Sequence, residues 1–265
     1  MAWLERPTAR IWYETHGPTD APLVVFAHGL GGNHLSWWQQ IPTFLDAGYR
    51  CLTFAHRGFA PSQQEGPEPG ARAFADDLAA LIDTANPTGS VTLVAQSMGG
   101  WTCLAFALAN PTRVRALVMC DTHGGFWSPE TASAWSAKPP AAEAELLARG
   151  IHPAAGERMA REQPALHYLY RGIDALATAL DKETLRRQLG QLRTIAPADV
   201  ARLDIPVLCI AGEEDIVIPP AAVEAFARAV PNGTFVTVPA AGHSVYFERA
   251  TTFNAIVLDY LRAHP

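Results

Sequence analysis

Six short aliphatic runs, each followed by a turn and then by helical periodicity, constrain this chain more than any other feature. They are Leu23 to Ala27, Cys51 to Phe54, Val91 to Ala95, Ala116 to Cys120, Val207 to Ala211 and Thr234 to Val238. Strands of that make-up are covered on both faces, and their alternation with helices marks βαβ units in a mostly parallel sheet. Ile11 to Thr15 reads as an antiparallel edge strand near the start. Helices are expected over Arg72 to Thr84, Trp101 to Ala109, Ala221 to Val230 and Phe253 to Leu261. In the first of these, Phe74, Leu78, Leu81 and Ile82 share one face; the second stops at Asn110-Pro111.

The middle of the chain breaks the pattern. From about Phe126 to Asp199 no strand is evident, Ala, Glu, Leu and Arg are abundant, and Pro139-Pro140, Pro153 and Pro164 divide the segment into short helices. The expectation is an α/β core over 1–125 and 200–265, with 126–199 as a helical lid inserted between two core strands. A chain of 265 residues, 49% hydrophobic and only 17% charged, has ample material for one large core.

Composition also excludes partners. A formal net charge of −6 and the lack of a basic run argue against nucleic acid. Met1 to Thr15 has no charged segment leading into an apolar one, and no apolar stretch approaches the roughly 18–20 residues that span a bilayer. A soluble, cytoplasmic protein is therefore expected, acting on a small molecule. Cys51, Cys103, Cys120 and Cys209 each lie in apolar segments without metal-like spacing, so buried free thiols are expected. No H-e-x-x-H pattern or paired Cys and His ligands suggests a metal, and no cofactor is implied.

Chemistry enters at Val91-Thr-Leu-Val-Ala-Gln-Ser-Met-Gly-Gly100, where an apolar strand ends in Ala95-Gln96-Ser97-Met98-Gly99 and a helix begins at once. A tight strand-to-helix turn of this kind lifts a Ser hydroxyl clear of the sheet, forces it into a rare backbone conformation and sets it beside unpaired helix N–H groups. The bland alternative is a loop Ser capping a helix. Two later segments weigh against it. Ile210 to Pro219 is a strand running into a loop that carries Asp215, and Val238 to Ser244 is a strand running into Gly242-His243. Both side chains then lie past the C-terminal ends of strands, where open α/β sheets place their sites, and the order is Ser, Asp, His.

Over nearly its whole length the chain resembles the α/β-hydrolase superfamily, through His28-Gly29-Leu30-Gly31-Gly32, Arg57-Gly58, the Ser97 turn, Gly212-x-x-Asp215 and Gly242-His243. The resemblance implies an eight-stranded, mostly parallel sheet under a helical lid. It implies Ser97 as nucleophile, His243 as base and Asp215 as the orienting acid, with an oxyanion hole from the Leu30 and Met98 backbone N–H groups. Two positions depart from the pattern: Ala95 replaces a Gly in the turn, and Ala55 to Ser62 lacks the Asp and second Gly of the usual D-x-R-G-x-G-x-S. Asp121, ending the strand before the lid, is the rival acid. His28 is expected to brace the oxyanion loop, and Arg57 to be structural.

The expected reaction is cleavage of a carboxylic ester or lactone with a small to medium apolar acyl group. Carbon–carbon bond hydrolysis or cofactor-free perhydrolysis on the same residues, and a non-catalytic receptor, are the alternatives. His56 and His123 are candidates to line the pocket, and Trp37-Trp38 and Phe126-Trp127 either form its apolar wall or pack in the core of the lid and first helix; no Arg stands out as a carboxylate clamp.

Overall fold

The aliphatic runs fold into one sheet, and residues alternating along each strand feed two separate apolar layers. The computed structural model describes residues 1–66, 70–177 and 180–264. Its strands are β1 Ala2–Arg6, β2 Ala9–His16, β3 Leu23–Ala27, β4 Arg50–Phe54, β5 Gln63–Gln64, β6 Val91–Gln96, β7 Val114–Cys120, β8 Val207–Gly212 and β9 Gly233–Val238. They are ordered β1-β2-β4-β3-β6-β7-β8-β9, with the two-residue β5 paired to β2. β1 and β2 are antiparallel to each other and β2 to β4; from β4 through β9 every pairing is parallel. One expectation needs correction: Ile11–Thr15 lies inside β2, which is flanked on both sides, and the edge belongs to Ala2–Arg6. The Trp3, Trp12 and Arg10 side chains stack on one another there, at 5.0 Å between the indoles and 4.6 Å from guanidinium to ring, which covers the added strand.

Period-2 alternation explains the layers. Leu23, Val25 and Ala27 of β3 join Leu93, Leu117 and Cys209 on one side, whereas Val24 and Phe26 join Val94, Val118 and Leu208 on the other. The first layer receives α2 (Phe74–Ala85), α3 (Gly99–Ala109) and α10 (Pro220–Ala229); the second receives α1 (Gln40–Asp46) and α12 (Ala250–Ala263). All four Cys are buried and free, and burial pushes the Cys51 thiol up to about 12.

Between β7 and β8 the described chain is helical: α4 Pro129–Ser136, α5 Ala142–Ala148, α6 Gly156–Glu162, α7 Pro164–Ala175, α8 Lys182–Gln191 and α9 Pro197–Val200. Its two ends are tied by a single bridge, Phe126 to Ile195. Residues 178–179 of this segment, and 67–69 and 265 of the core, lie outside the described residues. A short helix, α11 (Val245–Glu248), follows β9.

Arg57 has the structural role expected of it. Its guanidinium donates to both Asp77 carboxylate oxygens of α2, at 2.7 and 2.8 Å, and Arg6 adds a third bond at 3.0 Å. Both Arg57 and Asp77 are buried, so removing Asp77 would strand the Arg57 charge, at about 3–5 kcal/mol.

Candidate active site

The parallel strands β3, β6, β7, β8 and β9 each lead, just past their C-terminal ends, to a polar side chain. β3 leads to His28, β6 to Ser97, β7 to Asp121, β8 to Asp215 and β9 to His243. Ser97 has φ +48°, a left-handed conformation costly for a residue with a side chain. It is held there by bonds from its own N–H to Cys120 O (3.0 Å) and from Gly100 N–H to Ser97 O (2.9 Å). The turn is possible because α3 begins with Gly99, where a Cβ would stand 2.1 Å from Ala27 O. Ala95 in place of the usual Gly is tolerated because its methyl points into the apolar layer of Ala27 and Leu93.

The structure brings Ser97, His243 and Asp215 together. His243 Nε2 lies 2.8 Å from Ser97 Oγ and Nδ1 lies 2.8 Å from Asp215 Oδ2. A carboxylate can only accept, so the ring proton belongs on Nδ1, and Nε2 is left to accept from the Ser97 hydroxyl. Asp215 is fixed independently, because its Oδ1 accepts from Val217 N–H (2.7 Å) and Ile218 N–H (3.0 Å). Burial pulls the His243 pKa down, but the charge and hydrogen bond of Asp215, helped by Asp121, outweigh it and the net shift is upward.

Leu30 and Met98 also line the cavity that Ser97 and His243 open into. Among the described residues no backbone or side-chain acceptor takes either amide. The approach of the two loops demands glycine at position 29, where a Cβ would lie 2.0 Å from Gln96 Oε1 and 3.0 Å from Ser97 Cβ.

The profile of a family described as alpha/beta hydrolase fold matches residues 22–171, and one described as TAP-like protein matches 189–264. The chain belongs to the α/β-hydrolase family. Among its relatives is the Mycobacterium tuberculosis protein named "Putative non-heme bromoperoxidase BpoC", 30% identical over 94% of this chain and 96% of that one. The Variovorax paradoxus protein named "Putative carbamate hydrolase RutD" is 29% identical over 94% and 95%. A thermophilic esterase from Thermogutta terrifontis superposes with a TM-score of 0.80 at 25% identity, covering the whole of both chains.

In this α/β-hydrolase, several side chains that hold the site escaped sequence reasoning. Gln96, the residue before Ser97, donates from Nε2 to His243 O (2.8 Å) and so ties the turn to the His loop. Glu248 of α11 accepts from Gly242 N–H at 2.7 Å, just before His243. Asp121, weighed as the rival acid, does not bond to His243. Its Oδ1 accepts from Gly212 N–H (2.9 Å) and its Oδ2 from Val245 N–H (3.1 Å), which ties β7 to β8 and to the start of α11. Burial, reinforced by the Asp215 charge, pushes the Asp121 carboxyl up to about 7. Burial likewise pushes Glu248 up to about 8. A Gln inside the turn motif and an acid five residues past the His were visible in the sequence, but only the fold shows which amides they reach.

His28 braces the loop at Gly29. Its Nδ1 donates to Gly29 O (2.8 Å) and its Nε2 accepts from His56 N–H (3.0 Å). Burial drives its pKa to about 3, so the ring stays neutral and this pattern is preserved. His56 backs it, with ring bonds to His28 and to Thr102 Oγ1 at 3.1 and 2.9 Å. Neither His56 nor His123 lines the cavity, contrary to one of the readings weighed for them.

The cavity has a volume of about 290 Å³. Its aromatic wall is Trp101, Trp135 and Tyr170, not the pairs singled out in the sequence. Trp37 is wholly buried against Phe26 and Tyr246, Trp38 is half exposed, and Phe126 packs on Phe226 in the core. Trp127 stands behind the wall, next to Trp135. The wall is also charged: Lys138, Lys182, Arg186 and Arg193 face it beside the two carboxylates Glu143 and Asp174. Arg186 and Arg193 reach this wall from the helical segment, far from any motif.

Proposed function

We propose that this α/β-hydrolase cleaves a carboxylic ester or lactone of small to medium size, with Ser97 as nucleophile. The reading rests on the two 2.8 Å hydrogen bonds that join Ser97 to His243 and His243 to Asp215 at the wall of the cavity. A Ser hydroxyl is a poor nucleophile unless a base takes its proton as it attacks, and His243 Nε2 is in position to do so. The Asp215 carboxylate keeps the ring in the required tautomer and stabilises the imidazolium. The Leu30 and Met98 amides receive the oxyanion, each such donor being worth about 2.7–4 kcal/mol in the transition state. His243 then protonates the leaving alcohol, and water attacks the acyl-enzyme by the same route. Residues 126–199 act as the lid: they contribute Trp135 and Tyr170, against which the carbon skeleton of the substrate packs.

The relative named as a bromoperoxidase favours one second reading, in which hydrogen peroxide replaces water and the acyl-enzyme leaves as a peracid. The same residues would serve, since only the second nucleophile changes.

The test is hydrolysis of p-nitrophenyl esters of increasing acyl length by wild type and Ser97→Ala. Turnover that is lost in a folded Ser97→Ala protein is the expected result. Equal turnover in both would refute Ser97 as nucleophile. Turnover by neither would refute the ester reading, and peracid formation on adding peroxide would establish the second one.

A further inference from the structure

The cations of the cavity wall are not equivalent. Lys182 Nζ is paired with Asp174 Oδ1 at 2.5 Å, and Lys138 with Glu143. Arg186 reaches Glu183 at 3.4 Å with both side chains largely in solvent. Arg193 has neither arrangement. It is half-buried, its Nε is enclosed without an acceptor, and no hydrogen bond or ion pair to any described residue engages its guanidinium. What holds it is aromatic: the guanidinium carbon lies 4.0 Å from the Trp135 ring centroid and 5.1 Å from that of Trp127. The ring faces fix the plane of the fork while leaving its donors unused.

Arg57 shows how the same molecule treats a guanidinium whose role is structural. There the fork meets a buried carboxylate through two bonds, and a hydroxyl, Thr8 Oγ1, takes a third donor at 3.1 Å. A partly desolvated guanidinium with no counter-charge is costly unless an anion completes it. Arg193 lines the cavity that Ser97 and His243 also line. That cavity is small enough for one ligand to touch both walls, and it carries four cations against two carboxylates in a protein whose net charge is −6.

We propose that Arg193 is the anion-binding residue of the pocket, and that the substrate is an ester or lactone bearing a free carboxylate at the end remote from the scissile bond. This specifies the substrate class for the Ser97 hydrolase reading and rests on it. The carboxylate accepts two parallel N–H bonds from the fork, the geometry that arginine offers and lysine does not. The carbon chain between carboxylate and ester lies along Trp135 and Trp101. A purely structural role, with Arg193 merely stacked between lid indoles, predicts no discrimination between charged and neutral ligands.

Two measurements test this. In the first, Ser97→Ala protein is titrated calorimetrically with monomethyl glutarate and with dimethyl glutarate. The half-ester should bind about 10- to 100-fold more tightly, and adding Arg193→Gln should abolish that difference. In the second, wild type and Arg193→Gln are compared on the p-nitrophenyl monoester of glutaric acid and its neutral methyl ester. The ratio of their kcat/KM values should favour the acid and fall by a similar factor in the variant, mostly through KM. Arg193→Lys, which keeps the charge but not the fork, should give an intermediate ratio, and it serves if Arg193→Gln does not fold. Equal binding of half-ester and diester by Ser97→Ala protein, or a parallel loss for both substrates in the variant, would overturn the proposal. If wild type hydrolyses neither ester, the Ser97 hydrolase reading fails, while the calorimetric comparison still decides the anion site.

Discussion

Replacing Asp215 by Asn isolates one hydrogen bond whose loss can be worked through atom by atom. The Asp215 Oδ1 atom already accepts from the Val217 and Ile218 amides at 2.7 and 3.0 Å, so the Asn side-chain oxygen will keep that position. Its NH₂ group is then the atom facing His243 Nδ1, at the present separation of 2.8 Å. Two donors cannot share that contact. The ring must move its proton to Nε2, where it points at Ser97 Oγ and can no longer accept the hydroxyl proton. A wrong-tautomer change of this kind costs on the order of 10⁴ in kcat, or about 5.5 kcal/mol of transition-state stabilisation. Because both loop amides keep their acceptor, the fold should survive, with little change in urea midpoint. The assay is kcat/KM on a p-nitrophenyl ester at saturating pH, with Asp121→Asn measured beside it. Asp121 makes no bond to His243; its Asn variant sets an NH₂ against either the Gly212 or the Val245 amide, which costs stability, but it leaves the His243 tautomer alone and should lose far less activity. An Asp215→Asn enzyme within about tenfold of wild type, or a larger loss in Asp121→Asn, would refute the assignment of the acid.

Four further outcomes follow from the structure. His243 must be neutral to act as a base, and its pKa is raised above the ordinary imidazole value. The acid limb of the kcat/KM–pH profile should therefore lie above about 6.5. Asp121 contributes to that rise, so Asp121→Asn should move the limb to lower pH; a limb that stays put would show that Asp121 does not act on His243 electrostatically. Gly99→Ala would set a methyl 2.1 Å from Ala27 O and 2.7 Å from its carbonyl carbon, and should cost about 3 kcal/mol or more in thermal or urea unfolding. Gly172→Ala, with open space around it inside α7, should instead be neutral or stabilising by up to about 1 kcal/mol.

The parts of this protein legible in the sequence are those governed by local rules. Aliphatic runs such as Val91–Ala95 and Val207–Ala211 were legible as strands covered on both faces because they are short, rich in Val, Leu and Ile, and bounded by turn residues. The observed β6 and β8 differ from those runs by one residue at the end. The turn around Ser97 was legible because a strand cannot pass directly into a helix there without small residues. Asp215 and His243 were found because a side chain just beyond a parallel strand must emerge on the same edge of the sheet.

What the sequence left open depends on contacts between segments far apart in the chain. Whether Ile11–Thr15 or Ala2–Arg6 took the sheet edge was decided by long-range pairing, not by composition. Asp121 stood as a strand-end rival to Asp215, whose loop matched better, and the structure shows its oxygens on the Gly212 and Val245 amides. Trp37 and Trp38 are adjacent in sequence, yet one fills the core and the other meets solvent. Arg193 carried no motif at all. Its character comes from Trp127 and Trp135, some sixty residues earlier, which hold it on the cavity wall with no carboxylate in reach. Local sequence determines which backbone forms; the charges and rings that converge on a cavity are set only when the helical segment folds back over the sheet.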